Sequence, residues 1–260
     1  MPDLRGKILI VTSSTGIAAE AARLAAASGA RLLVATADEE SGWELASETG
    51  AECWVGDLTR ESAADSVLSQ CLAKFARVDG LFNAAGFSGR RFGDGPADEC
   101  TDDGWNFALA HNVTATFRMC RAVLGRMLQQ EPDENGVRGA ILNMGSVLAE
   151  SPESTHFATH AYAAAKGAVV ALSRSMAAYY APHKIRVNVI APGLARTSLS
   201  GRSEADPELS KFLRSKQPLA GGMIAAEDVA RAALFLLSGE ARSVTGEVVR
   251  VDAGWGVSGA

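Results

Sequence analysis

Short apolar, β-branched runs alternate along the chain with longer stretches in which apolar residues recur at helical spacing. The runs at 7–12 (KILIVT), 31–35 (RLLVA), 52–55, 80–83, 140–144, 186–191 and 247–251 read as strands. Between them, 17–28, 39–49, 59–75, 102–130, 159–178 and a stretch from 226 read as helices. Gly29 suits the end of the first helix, and Thr59 suits an N-cap of the third. Strands that alternate with helices predict a parallel sheet covered on both faces. The right-handed crossover rule makes it a doubly wound α/β sheet of seven strands in one Rossmann-type domain over 1–260. The segment 194–222 departs from this rhythm. It is polar, holds three glycines and two prolines, and is long for a strand-to-helix connection, so it is expected to be a lid.

Composition narrows the function. The 260 residues are 47% hydrophobic, enough for a substantial core, and the net charge is −5. No Lys/Arg block makes an electrostatic case for nucleic acid. No apolar run approaches the ~20 residues needed to span a bilayer. Cys53, Cys71, Cys100 and Cys120 lack metal-site spacing and read as reduced thiols, so no metal is expected. The N-terminus MPDLRGKILIVT has no signal-peptide layout, which gives a cytoplasmic expectation.

Tyr162 and Lys166 stand four residues apart in HAYAAAKGAVV, and so on one face of a helix. A phenol has a pKa of about 10, and a nearby cation lowers it. The pair is a candidate acid/base device, or an aromatic and a solvated lysine on an ordinary helix. The first strand runs into SSTGIAAEAA, where a helix N-terminus offers N–H groups to a pyrophosphate; a plain capped turn is the other reading. Asp57 could accept from an adenine amine or cap the next helix. Asn83-Ala84-Ala85-Gly86 ends one strand with residues small enough for a flat ring to lie against. Ser146 ends another strand, at the edge where ligands bind in such sheets. Asn112 interrupts a long helix, which predicts a hydrogen-bonding duty or a kink, and His111 beside it reads as structural.

These motifs occur in order: NAAG, a helical Asn, a strand-end Ser, YAAAK, RVNVIAPGLART and TGEVVRVDAGW. The chain thereby resembles the short-chain dehydrogenase/reductase family over essentially its whole length. The resemblance implies hydride transfer between a nicotinamide cofactor and a secondary alcohol or ketone. It implies that Tyr162 is the acid/base and that Ser146 bonds the substrate oxygen. Lys166 would lower the Tyr162 pKa and hold the nicotinamide ribose, and Asn112 would position a relay water. It places Thr12, Ser14, Gly16 and Ile17 at the pyrophosphate turn and Thr36 at the adenosine 2′ position. Asp57 and Leu58 would flank the adenine, Asn83, Ala84, Ala85 and Gly86 would line the cofactor trough, and Pro192, Gly193 and Thr197 would pack at the nicotinamide end. Phe87, Leu148, Phe157 and Leu194 are the expected pocket lining. A homotetramer is implied, and the long helices carrying Asn112 and Tyr162 are apolar on more than one face.

Two departures from the family pattern stand out. The turn after the first strand lacks its first glycine and is one residue short, and Ala18 replaces its last glycine. Thr36 stands where an NAD-preferring member has Asp, and no Arg or Lys follows for a 2′-phosphate. Asp38, Glu39 and Glu40 make the local field negative, so NAD(H) is expected over NADP(H), weakly, with dual use as the competing outcome. The alternatives to an alcohol dehydrogenase are a cofactor-poor binding or scaffold protein and a reductase of an activated double bond.

Overall fold

Strands buried on both faces need apolar side chains at successive positions rather than alternation. β1 (Ile8–Thr12, ILIVT) is buried at all five positions. In the computed structural model, which describes residues 1–197 and 206–258, β1 is an inner strand of a doubly wound sheet. It is followed by α1 (Gly16–Ala27), β2 (Arg31–Thr36), α2 (Glu39–Thr49), β3 (Glu52–Val55), α3 (Ala63–Phe75) and β4 (Gly80–Asn83). Next come α4 (Asp102–Leu109), a π-helical turn (Ala110–Thr114), α5 (Ala115–Met127), β5 (Gly139–Met144), α6 (His160–Tyr180) and β6 (Ile185–Pro192). The chain ends with β7 (Ala195–Arg196), α7 (Pro207–Lys216), β8 (Ile224–Ala225), α8 (Ala226–Leu237) and β9 (Val248–Val251).

The seven-stranded sheet runs β3-β2-β1-β4-β5-β6-β9, all parallel, and β7 and β8 form a separate pair. One face packs Ile8, Ile10, Leu33, Leu81 and Ile141 against α3, α5 and α6 through Val67, Met119, Val123 and Met176. The other packs Val11, Phe82, Leu142 and Ile190 against α1 and α8 through Ala18, Ala21, Val229 and Ala233. The strand order reverses at β1 and β4, and in such sheets the crevice at that reversal is the binding place.

Two local expectations change. Thr59 is not the cap of the third helix: α3 starts at Ala63 after Ser62, and the Asp57 carboxylate accepts instead from the Thr59 N–H and hydroxyl at 2.8 and 2.6 Å. The stretch 102–130 is not one regular helix. Asn112 sits in the π-helical turn between α4 and α5, an arrangement that often marks a functional site. The expected lid at 194–222 includes 198–205, which lie outside the described residues. Its described part is packed, with Leu209 and Leu213 of α7 buried beside Val147 and Trp255.

Candidate active site

Each side chain at the crevice is set by the element beneath it. Tyr162 and Lys166 lie in the first two turns of α6, with the Lys166 Nζ 5.5 Å from the Tyr162 ring centroid. Lys166 is 2% exposed, and its ammonium donates to the Met144 carbonyl at 2.9 Å. Burial pushes its pKa down to about 7. Ser146 follows β5 in extended conformation (φ −164°), and its hydroxyl accepts from the Leu148 N–H at 3.2 Å. Desolvation pushes the Tyr162 phenol pKa up, and the neighbouring Ser146 hydroxyl opposes that shift. The lowered phenol pKa expected from the Tyr–Lys spacing is therefore not a property of the free chain. A desolvated lysine bonded to a carbonyl does not outweigh the burial of the phenol.

Asn112 is fully buried, and its amide donates to the Phe87 and Ala108 carbonyls, both at 2.9 Å. Its Oδ1 has no partner; among the described residues it is the one buried side-chain oxygen left so, the others being arginine Nε atoms. Such an orphaned acceptor normally finds a water or a ligand group. It faces Gly86: a Cβ there would stand 2.6 Å from Asn112 Oδ1 and 3.1 Å from Lys166 Nζ. Gly86 thus keeps open the gap between the two.

The turn after β1, expected to hold a pyrophosphate, takes left-handed backbone at Ser13 and Gly16. Ser13 takes φ 92°, a left-handed conformation that glycine adopts without strain, and its N–H donates to the Ala35 carbonyl at 2.7 Å. Gly16 takes φ 55°, and a Cβ there would lie 2.9 Å from the Thr197 methyl. The N-cap of α1, Thr15, makes no side-chain cap bond, whereas Asp38, Thr101 and Asp206 cap α2, α4 and α7. An uncapped first turn behind a left-handed backbone fits an anionic diphosphate. Ile17 packs into the core from the same turn.

Several expected ligand residues turn inward. The Thr12 hydroxyl accepts from Ala84 N–H and Ala85 N–H, both at 3.0 Å, and so holds the NAAG loop against β1. Asn83 is 2% exposed and donates to Asn143 Oδ1 at 2.9 Å; Asn143 in turn donates to Ser173 of α6. These side chains join strands and helix rather than turning outward. Thr36 and Ser14 share a 2.8 Å hydroxyl–hydroxyl bond, and Ser14 reaches Ser41 at 2.7 Å. The Thr36 hydroxyl also accepts from the Asp38 N–H. Asp57 is held by Thr59 and Arg60, and Leu58 packs on the core.

Gly193 follows the buried Pro192, with its N–H on the Val251 carbonyl at 3.0 Å. The fully buried Gln217 straps this segment to α7, accepting from Leu194 N–H at 2.6 Å and donating to the Leu194 and Gly222 carbonyls. Leu148, Phe157 and Leu194 gather around Trp255, which is 1% exposed and donates to the Ser151 carbonyl at 3.0 Å. Phe87 goes elsewhere, edge-on to Phe107 and His111, which stack face to face at 3.9 Å. Gln217, Trp255 and Ser41 carry no local sequence signal, because each acts through partners far along the chain or on another element.

Comparisons with known proteins place the chain in a family. Residues 11–256 match a family model described as enoyl-(acyl carrier protein) reductase. An inactive 2-(S)-hydroxypropyl-CoM dehydrogenase 2 of Xanthobacter autotrophicus is 40% identical over 90% of this chain and 98% of its own length. A 2,5-dichloro-2,5-cyclohexadiene-1,4-diol dehydrogenase of Sphingobium indicum is 33% identical over 98% and 99%. The crystal structure of gox2181 superposes with a TM-score of 0.88 at 29% identity, covering 97% of this chain and 96% of that one. The chain belongs to the short-chain dehydrogenase/reductase family and is an NAD(P)-dependent hydride-transfer oxidoreductase.

Proposed function

We propose that this enzyme interconverts a secondary alcohol and its ketone, with Tyr162 moving the proton. The observation that carries the reading is the buried Lys166, its Nζ 5.5 Å from the Tyr162 ring centroid, beside an orphaned Asn112 Oδ1. When bound, the nicotinamide cofactor supplies or accepts the hydride. Ser146 donates to the substrate oxygen and fixes it next to the phenol. Tyr162 gives that oxygen a proton in reduction and takes it back in oxidation. Lys166 passes charge to the phenol once its ammonium turns from the Met144 carbonyl. Asn112 Oδ1 holds the water through which Lys166 exchanges protons with solvent. Gly16, Ile17 and the first-turn N–H groups of α1 hold the diphosphate, and Pro192, Gly193 and Thr197 hold the nicotinamide end.

The two relatives are named for substrates with a hydroxypropyl group and a cyclohexadiene diol, which supports a secondary alcohol here. One of them is named as inactive, so the site itself must be assayed. A panel of secondary alcohols, ketones and activated alkenes with each cofactor tests the reading. Turnover of alkenes alone would replace it with double-bond reduction. Cofactor binding without turnover of any of them would favour a binding role.

NAD(H) is the expected cofactor. Asp38 caps α2 and accepts from Ser41, which holds its carboxyl below the ordinary range, so it is charged at neutral pH beside Glu39 and Glu40. Three carboxylates near the adenosine 2′ position disfavour a 2′-phosphate. NADH is expected to bind about 10-fold more tightly than NADPH at low salt, and the gap should narrow as salt screens the field. Tighter binding of NADPH would overturn this assignment.

A homotetramer is the assembly we infer. Trp105, Phe117 and Tyr179 on α4, α5 and α6 are 42%, 42% and 68% exposed, a surface that a second copy would cover. Light scattering should return four times 27.1 kDa, and a monomer would refute it.

A further inference from the structure

We propose that Asp94 is a positioning residue for the acid/base helix. Its carboxylate, carried on the β4–α4 connection, caps α6 and so sets the approach of the Tyr162 phenol. The proposal rests on the assignment of Tyr162 as proton donor.

The first turn of a helix needs acceptors for its N–H groups, and a side chain at the N-cap usually supplies one. α6 lacks that device: Thr159 at its N-cap makes no side-chain cap bond. The acceptors come from a loop far away in sequence. The two Asp94 oxygens accept from the Ala161 and Tyr162 N–H groups, each at 3.0 Å. The Gly95 carbonyl accepts from His160 N–H at 3.1 Å. Three consecutive N–H groups, including that of Tyr162 itself, are held by two adjacent loop residues. Asp94 is 5% exposed, so solvent does not substitute for it.

The loop is built to deliver this carboxylate. Gly93 takes φ 96°. A Cβ at Gly89 would lie 2.8 Å from the Asp94 Cβ. A Cβ at Gly104 would lie 2.3 to 2.5 Å from the Gly93 and Asp94 backbone. The turn is closed by Asp94 N–H on the Gly89 carbonyl and Thr101 N–H on the Gly93 carbonyl, at 3.1 and 3.0 Å. Arg90 adds a second tie, donating to the His156 carbonyl at 2.8 Å.

The same connection carries Phe87 near its start, whose carbonyl accepts from Asn112. One loop therefore holds Asn112 at its beginning and the start of the Tyr162–Lys166 helix at its end. Loss of the Asp94 carboxylate frees the first turn of α6, and a small misplacement of the phenol costs rate without touching the cofactor turn.

The test compares D94A and D94N with the wild type and with Y162F. D94A is expected to lower kcat about 10-fold with the cofactor dissociation constant within about twofold. In the free protein its amides at 161 and 162 should lose hydrogen-exchange protection. D94N keeps the shape and one acceptor oxygen, so it should restore part of kcat. The groups facing the phenol are Ser146 and Lys166, and near the helix start stand Asp94, the Cys100 thiol at 4.0 Å from it, and His160. Removing the one carboxylate among them favours the phenolate, so the pH midpoint of kcat in D94N should move down by about half a unit. Wild-type kcat in D94A overturns the proposal, as does a D94N midpoint and amide protection identical to wild type. Where D94A does not fold, D94N alone decides. An inactive Y162F beside an unaffected D94A overturns only the role of Asp94. An active Y162F overturns the assignment of Tyr162.

Discussion

Tyr162→Phe is expected to lower turnover by at least ~10²-fold, the usual scale of general acid/base catalysis, with cofactor affinity almost unchanged. The substitution removes one oxygen from a helix whose start is held by backbone N–H bonds to Asp94. Loss of the phenol oxygen leaves the neighbouring Ser146 hydroxyl the Leu148 N–H contact it already has. The fold is therefore preserved, while the developing alkoxide of the substrate has no proton donor at bonding distance. The effect should fall on kcat rather than on KM. Steady-state rates in both directions, with cofactor titrated by fluorescence quenching, make the check. Near wild-type turnover would move the proton transfer to another group.

The fold was legible because it is written in short range. Apolar β-branched runs set β2, β3 and β4 to within a residue, and α2 starts and stops where its Asp38 cap and Gly50 imply. The helical period put Tyr162 and Lys166 on one face and the sheet rule put Ser146 and Gly86 at strand ends, while their roles came from the family resemblance. Side-chain direction was the illegible part. Thr12 and Asn83 sit at the crevice in sequence, yet their side chains serve the NAAG loop and the β4–β5–α6 network. A strand-end residue can face either way, and buried hydrogen bonds to distant elements decide which. The left-handed backbone at Ser13 was hidden for the same reason. Ser13 keeps the left-handed turn because its N–H is fixed to Ala35, a constraint that residue identity does not reveal. Leaving Ser13 there costs on the order of 1–3 kcal/mol of backbone strain, which the surrounding structure outweighs.

Lys166 is where burial overrides what spacing alone implies, and its substitution has two separable consequences. Its folded pKa of about 7 lies below the ordinary lysine value of 10.5 because the side chain is desolvated. The folded state then binds fewer protons than the unfolded state between those values, so this group makes stability rise with pH across that window. The limiting slope for one proton is about 1.4 kcal/mol per pH unit. Below about pH 7 its full penalty is present. Lys166→Met keeps the stem and removes the charge. The variant should gain stability relative to wild type at pH 6, and the gain should shrink as pH rises toward 10.5. Melting temperatures of both proteins from pH 6 to 10 measure this, and parallel curves would show that the amine is not desolvated. Catalysis should move the opposite way. Without the ammonium the phenolate loses its cation, so the pH–rate profile of alcohol oxidation shifts to higher pH and turnover falls by at least ~10²-fold. Cofactor affinity should fall as well, since the ribose loses its donor. A more stable but inactive variant is the signature of a charge kept in a costly place for its chemistry.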